Sequence, residues 1–198
     1  MQKQQEPYRV TLPLIDVAAA SAGAREPLEQ ARQQMGMIPN LYAAMANLPA
    51  ALETYRLGYE RFRMESGFSP AEQDVIFLVI SRENGCEYCV SAHSFVADVV
   101  SGVPAAVINA IRDGGEIPVP KLQALAAFTQ ALVRKRGWPS VADAQAFFDA
   151  GYSEKQILAI VLALAVKTIS NYTNHLFATP LDAPFQGRAW KRPQSAQP

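Results

Sequence analysis

The sequence predicts an all-α domain of helical hairpins with extended arms at both ends, and three observations carry that prediction. Apolar residues recur at helical spacing through eight segments. Capping signals open several of those segments, and Gly67, Gly102, Gly114, Gly115, Gly137 and Gly151 fall in the gaps, where helices stop. Outside a single apolar run, no alternating or β-branched segment could complete a sheet.

Residues 1–25, with Pro7, Pro13 and an Ala/Ser/Gly stretch, read as an extended N-terminal arm followed by a turn. Helices are expected over 26–35, 50–65, 70–83, 86–100, 104–112, 121–136, 141–150 and 154–170. Ser69-Pro70-Ala71-Glu72 is a capping box with proline at the first helical position, where its missing N–H costs nothing, and Ser153-Glu154-Lys155-Gln156 repeats the box. The run VIFLVI, 75–80, is β-branched and could be a buried strand leading into a thioredoxin-like Cys-x-x-Cys helix. The capping box six residues upstream and the SRENG stretch before Cys86 favour a helix. Residues 179–198 form a C-terminal arm, and Phe185 and Trp190 imply that it packs on the domain.

Segments 69–93 and 153–175 resemble each other: a capped start, a long apolar helix, a polar turn, then histidine. Aligned on the histidines, Thr168 and Asn171 stand where Cys86 and Cys89 do. The expectation is a tandem arrangement, with a redox hairpin at 69–103 and a degenerate second hairpin at 153–177.

With 198 residues, 49% of them hydrophobic, the chain suits one domain spanning 1–198. Eighteen basic residues balance eighteen acidic ones, so no strong field favours nucleic acid or an anionic membrane. MQKQQEPYRV lacks the apolar core of a secretory signal, and the longest apolar stretch, 157–166, is too short to span a bilayer. A cytoplasmic protein without a membrane partner is expected.

The stretch NGCEYCVSAH, 84–93, holds both cysteines and one of two histidines. Asn84 reads as a helix N-cap, with Glu87 completing a capping box, so that Cys86, Cys89 and His93 follow one another along one face. A helix N-terminus favours thiolate over thiol, and peroxide oxidises a thiolate to a sulfenic acid that a neighbouring thiol can close to a disulfide. Dipole reasoning favours Cys86, nearer the start and expected to be more exposed, as the reactive thiol; His93, four residues after Cys89, favours Cys89. A zinc site would need a fourth ligand beyond Cys86, Cys89 and His93, with no second cysteine pair to supply it. Attachment of c-type haem requires histidine where Val90 stands. His175, with no motif around it, reads as a hydrogen-bonded structural residue.

At Asp74, eleven residues, Cys86-x-x-Cys89, three residues and His93, the chain resembles the alkylhydroperoxidase D-like branch of the carboxymuconolactone decarboxylase superfamily, notably its peroxidase-related members. The Gly36-Met37-Ile38-Pro39-Asn40 segment and the second apolar helix look similar too, so the resemblance covers most of the chain. It implies an all-α fold, a homo-oligomer, and reduction of a hydroperoxide substrate without cofactor or metal, at the expense of an external dithiol. It makes Cys89 the attacking thiol, activated through His93 and Asp74, with Cys86 resolving. The best-known members carry histidine before the second cysteine and glutamate at the acidic position, where this chain has Tyr88 and Asp74. A lactone-acid decarboxylase and a non-catalytic redox sensor or binding protein are the competing functions; the cysteine pair weighs against the former.

Overall fold

A computed structural model describes residues 6–193. The described residues form α1 (Ala22–Met35), α2 (Asn40–Met45), α3 (Pro49–Glu65), α4 (Pro70–Glu83), α5 (Glu87–Val99), α6 (Ala105–Asp113), α7 (Pro120–Arg134), α8 (Val141–Asp149) and α9 (Glu154–Phe177), then a 3₁₀ turn at Ala183–Arg188. No strand occurs among them. The outermost parts of both predicted arms, residues 1–5 and 194–198, lie outside the described residues.

α4 is the hub. Its capping box forms as expected: Ser69 Oγ accepts from the Glu72 N–H while the Glu72 carboxylate accepts from the Ser69 N–H. The strand-like run is helical, and every residue from Glu72 to Ser81 is buried, because α4 is enclosed by α5, α6, α7 and α9. A helix covered on all sides has no reason to alternate polar and apolar faces, so VIFLVI shows no helical period. Phe62, Phe77, Phe128 and Phe147 fill the core around it.

Three expectations are corrected. α1 starts four residues early, since Ser21 is its N-cap. The six-residue α2 follows Pro39 in a segment read only as a motif. The degenerate second hairpin at 153–177 is not a hairpin: α9 runs unbroken from Glu154 to Phe177. The polar residues taken for a turn include no glycine or proline to end the helix, and Thr168 and Thr173 donate their hydroxyls to carbonyls four residues back within it.

α9 is amphipathic in an inverted sense. Ile160, Ala163, Val166, Lys167, Ser170, Asn171 and Asn174 are buried, so its last three turns put a polar stripe inside, while Leu158, Val161, Tyr172 and Leu176 face outward. By length and composition it could cross a membrane, correcting the expectation that the longest apolar stretch is too short. Its buried lysine, serine and asparagines, packed against α3, α4 and α5, are what a helix inside a protein carries. Gly58 of α3 allows that packing, since a Cβ there would sit 2.9 Å from Val166.

The arms close one end of the bundle. In the N-terminal arm the Val10 N–H donates to Leu176 O and the Ile15 N–H to Ala43 O, each at 3.0 Å. In the C-terminal arm Phe185 packs on Tyr88 and Phe95, and the Trp190 N–H donates to Ser91 Oγ at 2.9 Å, so that arm straps α5.

Candidate active site

The turn between α4 and α5 decides where the thiols sit. The Asn84 N–H bonds back to Ile80 O, making Asn84 the C-cap of α4, and Gly85 takes a left-handed φ of 66°. The expected N-cap at Asn84 is therefore displaced by two residues. Cys86 is the N-cap, its Sγ accepting from the Cys89 N–H at 3.4 Å. Glu87 consequently closes no capping box; its carboxylate takes Lys191 and the Arg192 N–H from the C-terminal arm. Cys86 is not the more exposed thiol: both cysteines are reduced and buried.

Antiparallel packing of α4 and α5 answers how Asp74 can reach the motif. Asp74 and His93 lie at similar depths from the turn, and Asp74 Oδ1 stands 3.2 Å from His93 Nδ1. Asp74 bonds to neither thiol; it meets Arg63 in a two-point ion pair at 2.8 and 3.1 Å, and it accepts from the Ser101 hydroxyl. Burial opposes its charge, but the bonds from His93 and Arg63 prevail and hold the carboxyl at about 2. The Arg63 guanidinium lies over the Tyr59 and Phe77 rings, each centroid 5.0 Å away.

His93 is not bonded to Cys89 either. Its Nε2 faces Lys167 Nζ at 2.8 Å, and Lys167 is fully buried. Burial, then the lysine charge, push the imidazole down to about 4, so near neutral pH it is uncharged, with Nδ1–H donating to Asp74 and the Nε2 lone pair accepting from Lys167. Asp74, His93 and Lys167 thus form a chain leading from α4 through α5 to α9.

Cys89 feels the charge at the end of that chain without a hydrogen bond to it. The Asn174 amide donates to its sulfur at 3.2 Å, and Ser170 Oγ lies 3.9 Å away. Burial raises a thiol, but the hydrogen bond from Cys86 and the charge of Lys167 reverse the effect and hold Cys89 well below the usual thiol range. Cys86 moves the opposite way, pushed up by burial and by its bond to Cys89. The opposite directions favour the thiolate at Cys89 over one at Cys86.

Tyr88, just before the second cysteine, donates its hydroxyl to Asp182 of the C-terminal arm, and burial raises the phenol. No three His, Cys, Asp or Glu side chains converge as metal ligands among the described residues. The zinc alternative lacks donors here, since both His93 nitrogens are engaged. His175 bonds the Gly85 backbone, in line with the structural role expected of it, and leaves Nε2 without a partner among the described residues.

Sequence reasoning missed Arg63, Lys167, Ser170 and Asn174. Lys167 had left a signal: it is the one Asp, Glu, Lys or Arg in the last 22 residues of α9, 156–177.

No family model and no curated protein matches the chain. Solved structures do. An uncharacterised peroxidase-related protein with an alkylhydroperoxidase AhpD core, from Ralstonia eutropha JMP134, superposes with a TM-score of 0.79 at 20% identity, over 91% of this chain and 97% of its own. The chain has the AhpD-like fold. A peroxidase-related protein from Silicibacter sp. TM1040 gives 0.75 at 22% identity, over 95% of this chain and 98% of its own. The debrominase Bmp8, as a cysteine-to-alanine variant bound to 2,3,4-tribromopyrrole, gives 0.68 at 16% identity, over 84% of this chain and 89% of its own. The AhpD-like fold expected from the motif is therefore present, in a chain whose acidic residue is aspartate.

Proposed function

We propose that this chain is a thiol-dependent oxidoreductase that reduces hydroperoxides by cycling Cys86 and Cys89 between dithiol and disulfide. The observation that carries the reading is the setting of the pair: Cys86 is the N-cap of α5, Cys89 follows it within the first turn, and the Asn174 amide donates to Cys89 Sγ at 3.2 Å with Ser170 Oγ 3.9 Å away, in surroundings where Cys86 and the Lys167 charge favour the thiolate at Cys89. The Cys89 thiolate attacks the terminal oxygen of ROOH. An S–O bond forms, the O–O bond breaks, and the alkoxide takes a proton from water and leaves as ROH. Cys86 then attacks the Cys89 sulfenic acid, closing the disulfide as water departs with the Cys86 proton. An external dithiol returns the two electrons by exchange.

The roles implied by the resemblance carry over with one change. Cys89 attacks and Cys86 resolves, but Asp74 and His93 act on Cys89 by way of Lys167, whose position His93 fixes.

Reduced protein treated with one equivalent of an organic hydroperoxide is expected to lose two thiols and show a Cys86–Cys89 disulfide by mass spectrometry. Further peroxide is consumed only when a dithiol is added; a sensor would stop after one equivalent. In Cys86→Ser, a sulfenic acid is expected to persist on Cys89, and its absence would remove Cys89 from the attacking role. The same electrons could instead cleave a carbon–halogen bond, giving the dehalogenated ring, hydrogen halide and the disulfide. The likeness to a debrominase makes a brominated pyrrole the acceptor to run beside the peroxide.

A homo-oligomer is part of this proposal. The outward stripe of Leu158, Val161, Tyr172 and Leu176 carries no charge, so it is self-complementary and fits a second copy of the chain. Leu158→Glu with Val161→Glu is expected to halve or further reduce the mass measured by light scattering; a wild-type monomer would refute the assignment.

A further inference from the structure

A cleft of about 1260 Å³ opens between the two arms, and its wall includes Gly85, Tyr88, Asn174, His175, Thr179 and Trp190. Its wall meets the redox centre at Asn174, whose Nδ2 is the donor to Cys89 Sγ. Asn174 is 4% exposed, and its Oδ1 has no hydrogen-bond partner among the described residues. A buried carbonyl oxygen without a donor carries the cost of its lost hydration, so a group kept in that state calls for an explanation. His175 Nε2 and Thr179 Oγ1, in the same wall, are also unpartnered. Three buried polar atoms around one cleft are thus free to meet a ligand.

The orientation of the amide defines what Oδ1 can bind. The sulfur accepts hydrogen bonds, so Nδ2 faces it and Oδ1, an acceptor only, is left beside that contact without a donor. Its missing partner is a donor. A hydroperoxide has one donor, the terminal O–H, and that same oxygen is the one a thiolate attacks.

Building on the peroxidase reading, we propose that Asn174 is a substrate-binding catalytic residue: its Oδ1 accepts the terminal O–H of a hydroperoxide entering from the cleft between the arms, while its Nδ2 holds the Cys89 sulfur. One rigid amide then sets both reacting atoms side by side, the arrangement that turns encounter into reaction. The O–H bond is retained when the oxygen passes to sulfur, so the contact holds through the step and asks for no proton transfer from Asn174.

The test compares two reagents on the reduced full chain. Iodoacetamide needs only the thiolate, whereas cumene hydroperoxide needs the thiolate and the Oδ1 contact. Asn174→Leu keeps the approximate volume and removes both polar atoms; Asn174→Ala serves if the leucine variant does not fold by circular dichroism. With each rate taken over pH and referred to its thiolate plateau, the hydroperoxide rate is expected to fall at least tenfold and the alkylation rate less than threefold. Equal losses would mean that Asn174 acts on the thiolate alone and would overturn the proposal, as would two unchanged rates. A wild-type thiolate that is alkylated but inert to the hydroperoxide would overturn the peroxidase reading itself, and this inference with it.

Discussion

Lys167→Met is expected to leave the fold standing and disable the thiol. The ammonium is fully buried, 2.8 Å from His93 Nε2, with the Phe77 ring 5.5 Å away. Burial presses the Cys89 proton on, and the Cys86 hydrogen bond and the Lys167 charge are the leading forces that take it off. Without the cation, burial prevails and the thiol titration moves upward, toward protonation at neutral pH, and the alkylation and peroxide rates at pH 7 are expected to fall about tenfold. The same loss removes the repulsion that, after burial, holds His93 down, so the imidazole titration moves upward. Stability should fall by no more than about 1–3 kcal/mol. The site is balanced, with Arg63 and Lys167 against Asp74 and the Cys89 thiolate, and a protonated thiol in the variant leaves no new unpaired charge. Methionine fills the space of the lysine stem, and exchanging buried charges for apolar groups is often neutral or stabilising; the cost is one open acceptor at His93 Nε2, about 1–3 kcal/mol. Alkylation rates against pH and a thermal melt together decide it. An unchanged thiol titration would show that Cys86 alone sets the thiolate.

How much of this was legible in the sequence differs from element to element. The capping box at Ser69 is a local pattern and forms as its spacing predicts, and Asp74 and His93 of the motif meet, but His93 turns its other nitrogen to Lys167 and not to Cys89. Errors arose where tertiary packing overrides local signal. Asn84 is a good N-cap by composition, but the last turn of α4 claims its N–H, and the start of α5 moves to Cys86. The SNYTN stretch is polar because its helix face looks onto the thiols, not because the chain turns there. Polarity in the middle of an apolar segment has two physical sources, exposure at a turn or burial at a site, and a single sequence does not separate them. Lys167 was legible in principle, since a lone charge in a long apolar helix needs a partner. The identity of that partner, a neutral histidine from α5, depends on how α9 crosses the hairpin.

Asp74→Asn is expected to be the most destabilising conservative change in the site, by about 3–5 kcal/mol at neutral pH, because it strips the counter-charge from Arg63 while Lys167 remains beside His93. For a domain of this size that is a fall in melting temperature of roughly 10 °C. The acid limb of the wild-type stability curve should carry two marks of the same network. Between about pH 6.5 and 4 the unfolded chain binds a proton at His93 that the folded chain, with its imidazole at about 4, refuses. Stability therefore falls as pH drops through that window, by on the order of 3 kcal/mol. Below it, the unfolded Asp74 carboxyl takes its proton near 3.8 and the folded one only at about 2, so a further loss, on the order of 2 kcal/mol, is expected between about pH 4 and 2. In Asp74→Asn the lower step disappears, there being no carboxylate to titrate. The upper window extends downward in pH, because the group that favoured a charged His93 is gone. Melts of the two proteins from pH 7 to 2 measure both effects at once. Parallel curves would mean that Asp74 does not hold the charge assigned to it, and that Arg63 and His93 are balanced by something else.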